Sequence, residues 1–81
     1  MSDVSYQRLD KALRSLGFSY SGVKEMNRVY LHKETGALVV YPEFPPDELV
    51  LPRHLQTVRA ILNAYGIADP TDFEAKLQRA G

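Results

Sequence analysis

Residues 28–41 set two short β-prone runs on either side of a tight-turn signal, and this pattern limits what the chain can become. Arg28-Val29-Tyr30-Leu31-His32 and Ala37-Leu38-Val39-Val40-Tyr41 are rich in β-branched and aromatic residues. Glu34-Thr35-Gly36 between them favours chain reversal, so the spacing predicts an antiparallel hairpin. Pro42-Glu43-Phe44-Pro45-Pro46-Asp47 ends it, because proline has no N–H to give a paired strand. Each proline also fixes its own φ, which makes this loop stiff. Upstream, Phe18-Ser19-Tyr20 alternates and predicts a short first strand, with Ser21-Gly22 as its interruption and residues 22–26 as a connection.

Helical periodicity flanks the strands. Tyr6, Leu9, Leu13 and Leu16 recur at three- and four-residue steps and share a face. Asp3 or Ser5 is placed to cap this first helix, Gly17 to end it in the left-handed conformation, and Phe18 to fold back after the cap. Pro52 suits a first helical turn, and Leu51, Leu55, Val58, Leu62 and Tyr65 form the strongest periodic stripe, ended by Gly66. Asp69-Pro70-Thr71-Asp72 restarts the chain as a cap, a first-turn proline and an acidic first turn. Phe73 and Leu77 give that last helix one narrow stripe, which predicts an appendage on the body. The economical arrangement is an α+β sandwich: a three-stranded antiparallel sheet packed by two helices, in the order α-β-β-β-α, plus a short C-terminal helix.

With 81 residues, a single domain over 1–81 is expected, and its core must be thin. The absence of cysteine excludes disulfides and thiolate metal sites. His32 and His54 are the only histidines and show no ligand spacing, so neither a metal nor a cofactor is expected. No apolar run approaches the ~20 residues of a membrane span. Met1-Ser2-Asp3-Val4-Ser5 does not read as a signal peptide, which makes a cytoplasmic location the expectation. Net charge is zero, which argues against tight nonspecific nucleic-acid binding by the whole surface. The charge is uneven: Arg8, Lys11, Arg14, Lys24, Arg28 and Lys33 outnumber the acids of residues 1–33, whereas Glu34, Glu43, Asp47 and Glu48 face no base in residues 34–52.

The element order and several strings resemble the HicA family, small toxins of bacterial toxin–antitoxin pairs whose fold is similar to the double-stranded-RNA-binding domain. The strings are Leu16-Gly17-Phe18, the hairpin from Arg28 to Gly36, the stretch from Glu48-Leu49 through Pro52 to Ile61-Leu62-Asn63-Ala64-Tyr65-Gly66-Ile67, and Phe73. Together they cover residues 9–74. The resemblance implies an RNA-binding domain with an antitoxin-type protein partner. It also implies a histidine just before the second strand that serves RNA cleavage. Imidazole suits that task because it exchanges a proton near neutral pH. Here those positions read Glu25-Met26-Asn27, and Asn27 falls on the histidine. An amide cannot exchange a proton at useful pH, so ribonuclease activity is expected to be lost or weakened. His32 is a second catalytic candidate, but it is an odd number of residues from Asn27 and so points to the opposite face of a regular strand.

Two surfaces stand out beyond that position. Lys11, Arg14, Lys24 and Arg28 are the candidate RNA-binding patch of a domain of this shape. In the hairpin, Val29 and Leu31 share a face with Leu38 and Val40, and the opposite face carries Tyr30, His32, Val39 and Tyr41. That second face is taken as the outer one, an aromatic surface for a protein partner or RNA. A reading of a different class is a protein-interaction or homodimerisation module with no nucleic-acid role, which zero net charge favours.

Overall fold

A computed structural model describes residues 4–80. The order is α1 (Tyr6–Ser15), β1 (Phe18–Lys24), β2 (Asn27–His32), β3 (Ala37–Pro42), α2 (Pro52–Ala64) and α3 (Pro70–Arg79). The strands form one antiparallel sheet in the order β1-β2-β3, so the fold is the expected α+β arrangement. Among the described residues, no helix is long and apolar enough to cross a membrane.

Local chemistry sets most boundaries. The Ser5 hydroxyl accepts the Arg8 N–H and caps α1, whereas Asp3 lies outside the described residues. The other free amides of the first turn are satisfied from far along the chain. Tyr6 N–H donates to the Glu48 carbonyl and Gln7 N–H to that of Pro46, both at 2.9 Å. The proline loop therefore completes the start of α1. Gly17 follows α1 at φ +97°, and a Cβ there would lie 3.2 Å from His32 Nε2, so both backbone shape and space call for glycine. Asp69 caps α3 by accepting the Asp72 N–H.

β1 runs past Ser21-Gly22, where the sheet carries a bulge, and the connection to β2 is only Glu25-Met26. Both residues have positive φ, 53° and 67°, as a two-residue hairpin turn of this hand requires. Asparagine and glycine usually fill such turns; here neither is present, and Met26 is 83% exposed.

The partition of hairpin side chains matches the sequence reading, but the outward face does not. Tyr30, His32, Val39 and Tyr41 point at the helices and are buried. The face left to solvent carries Val29, Leu31, Leu38 and Val40. The tyrosines turn inward because their rings fill the gap under the helices while their hydroxyls find polar partners at its rim. The last helix is not an appendage either: Phe73 and Leu77 are fully buried, and α3 packs on α1 and α2. Only the middle of the α2 stripe, Val58 and Leu62, is buried, whereas Leu51 and Tyr65 at its ends are exposed.

Two outcomes follow from this packing. Phe73→Ala should cost about 3–5 kcal/mol in urea unfolding, the loss for a large buried aromatic, and a value under about 1 kcal/mol would return α3 to a peripheral role. Met26→Gly should raise stability by about 1 kcal/mol, because glycine removes the left-handed penalty of a side chain that touches little, measured as a higher urea midpoint at unchanged slope.

Candidate functional site

The most polar cluster in the fold gathers around Asp10 on the outer half of α1. Its carboxylate accepts the Tyr30 hydroxyl at 2.5 Å, Arg28 Nη2 at 3.2 Å and Arg14 Nε at 3.0 Å. The Tyr30 oxygen in turn accepts Arg28 Nε and the Tyr41 hydroxyl, each at 3.0 Å. The Arg28 guanidinium lies 4.3 Å from the Tyr20 ring centre, and Glu43 approaches its other nitrogen at 3.7 Å. Among the described residues, no buried side-chain nitrogen or oxygen lacks a hydrogen bond.

Electrostatics follow from this packing. Burial, then the hydrogen bond to Asp10, pushes the Tyr30 phenol up. Burial and the hydrogen bond to Tyr30 do the same for Tyr41. Burial alone would lower the Arg28 pKa, but the hydrogen bond and field of Tyr30, with Tyr20 and Tyr41, carry it above its ordinary value. The cluster is thus two phenols, a carboxylate and two permanent cations held neutral overall with Glu43.

Beside this cluster a shallow cleft of about 170 Å³ is lined by Tyr6, Gln7, Asp10, Arg28, Phe44 and Pro46. Phe44 stacks on Tyr6 at 4.7 Å. The Tyr6 hydroxyl lies 2.9 Å from His54 Nδ1 and accepts the Leu51 N–H at 3.3 Å. Burial, with Arg53 nearby, lowers the His54 pKa.

The candidate catalytic residues are not brought together. Asn27 opens β2 at the end of the outer face, and its amide donates to the Glu25 carbonyl at 3.2 Å. His32 is buried on the inner face, with Nδ1 at 2.9 Å from Thr35 Oγ1 and Nε2 at 3.2 Å from the Leu16 carbonyl. It ties the end of α1 to the β2–β3 turn, which is a structural task.

The proposed basic patch also divides. Arg14 and Arg28 converge on Asp10, which pairs with both. Lys11 lines a hollow between α1 and α3 instead. Lys24 is exposed at the end of β1, opposite Asn27. Tyr30, His32, Val39 and Tyr41, read as a partner surface, are core and cannot serve as one without unfolding. Sequence reasoning missed Asp10, although its i,i+4 spacing to Arg14 is a legible helical pair. It also left Arg8 out of the proposed patch and missed Lys76 and Arg79, which line the hollows between α1 and α3. No group of three or more metal-ligating side chains converges among the described residues.

Comparison with family models, with curated proteins and with solved structures gives no match for this chain.

The pH profile of stability should report these environments. Tyr30 and Tyr41 have raised folded-state pKa values, so their contribution is intact below the unfolded value of about 10 and is lost as pH rises through the folded values. His54 is depressed, so its contribution is intact above about pH 6.5 and is lost as pH falls through the folded value. Tyr41→Phe should flatten the alkaline limb and His54→Gln the acidic one, in urea titrations at stepped pH. Limbs unchanged by these substitutions would assign the pH dependence to other groups.

Proposed function

We propose that this chain is a HicA-like domain that binds without cutting RNA, and that its uncovered sheet face holds a small antitoxin-type protein. One observation carries the reading. Leu38 and Val40 are 52% and 47% exposed, beside Val29 and Leu31, on a face that none of the three helices covers. A solvated sheet face normally alternates toward polar side chains. A contiguous aliphatic patch with a polar rim is the mark of a protein contact. The rim here includes Ser19, Lys24 and Asn27, so a partner with acidic edges is complementary.

The absence of cutting rests on three placements. Asn27 offers a carboxamide, which is neither a general acid nor a general base near neutral pH, at the position where the resemblance puts an imidazole. His32 has both ring nitrogens engaged inside the fold, and His54 is tied to Tyr6. RNA contact by Arg14 and Arg28 is disfavoured by their common partner Asp10.

Co-expression with the small protein encoded by the adjacent gene, followed by size-exclusion chromatography, tests the proposal. The wild-type chain should co-elute with it, whereas Leu38→Glu with Val40→Glu should elute alone with an unchanged circular dichroism spectrum. A dimer of the chain that the same substitutions dissolve would replace the antitoxin with a second copy. Messenger RNA cleavage by the purified chain, abolished by Asn27→Ala or His32→Ala, would overturn the claim that it does not cut.

A further inference from the structure

From the pairing of basic residues across α1 and α3, we infer that the groove between these helices is a track for the phosphodiester backbone of a nucleic acid. This surface is separate from the sheet face and does not depend on the protein-partner reading.

Two adjoining hollows mark the groove, of about 130 and 220 Å³, and they share Lys11 and Ala80. Arg8 and Lys11 line it from α1, Lys76 and Arg79 from α3. No acidic side chain lines either hollow among the described residues. Among the described residues, the three ion pairs all involve Arg14 or Arg28 and none involves these four cations. The helical surface thus has two kinds of cation. One pair is neutralised by Asp10 and Glu43, and four others line a shared channel with no ion-pair partner among the described residues.

Zero net charge conceals this channel. Acids lie in other segments: Glu34 in the β2–β3 turn, and Glu43, Asp47 and Glu48 in the proline loop. On α3 itself Glu74 is the acid nearest in sequence to Lys76, but it lines a different hollow, with Arg59. A single small anion would engage one or two of these side chains. Four cations lining adjoining hollows suit a ligand with repeated negative charge. Phosphate contacts of this kind supply affinity and orientation without reading sequence. The small Ser15 and Ala80 at the groove wall leave room for a backbone to approach. Arg8 and Lys76 are half-buried along their stems, which holds their charged ends in place.

Fluorescence anisotropy across a salt series tests this, with a labelled single-stranded RNA and the DNA of the same sequence as probes. Four phosphate contacts predict a slope of log K against log salt near about −3 on a single strand. Lys76→Gln with Arg79→Gln should reduce it to about −1.4, and Lys76→Arg with Arg79→Lys should restore it. Leu38→Glu should leave the slope unchanged, which separates this groove from the sheet face. Stronger binding of RNA than DNA, or the reverse, would identify the natural strand. No binding to either strand, a slope indifferent to the double substitution, or binding of inorganic tripolyphosphate alone would overturn the inference.

Discussion

The Asp10 carboxylate holds the first helix to the sheet, and much of the architecture depends on that contact. A thin core needs large side chains to span it, and Tyr30 and Tyr41 supply that bulk. Each brings a hydroxyl that must find a partner when water is excluded. Asp10 ends the chain of donors that begins at Tyr41, passes through Tyr30 and is joined by Arg28. Removing the carboxylate would leave the Tyr30 hydroxyl without its acceptor and Arg28 with only Tyr30 and Glu43, a costlier state than an apolar replacement of the whole set. The same contact explains why a chain with several arginines near its first helix offers fewer free cations than a count suggests.

This inward use of polarity has an outward counterpart. Aromatic and polar atoms are concentrated on the inner face and its rim, so the outer face is left with aliphatic side chains. The covered face is aromatic and aliphatic with its hydroxyls at the rim, and the open face of β2 and β3 is aliphatic at its centre. A binding role for the open face and a structural role for the tyrosine network are therefore two sides of one distribution of residue types along β2 and β3.

Much of the fold was legible because periodicity is a local property. The stripes at Tyr6, Leu9 and Leu13 and at Val58 and Leu62 mark helices without reference to the rest of the chain, and Asp69-Pro70 marks the start of the last one. Alternation in the hairpin likewise divides its residues into two sets. It does not say which set faces the core, because both sets contain large apolar side chains; only the helices decide. The short turn at Glu25-Met26 was illegible for a different reason: its residue types do not advertise the positive φ they adopt. The charged surfaces were least legible. Arg14 and Lys11 are three residues apart on one helix, yet one pairs with Asp10 a turn away and the other lines the groove beside α3, a helix distant in sequence.

The first turn of α1 takes two of its hydrogen-bond acceptors from Pro46 and Glu48, some forty positions further along the chain. During synthesis, a growing polypeptide that has only just made its first helix and sheet lacks the segment that finishes that helix. Closing so long a loop is an entropic step that no local contact can replace. The first turn of this helix therefore gains its last acceptors only together with the proline loop, not ahead of it.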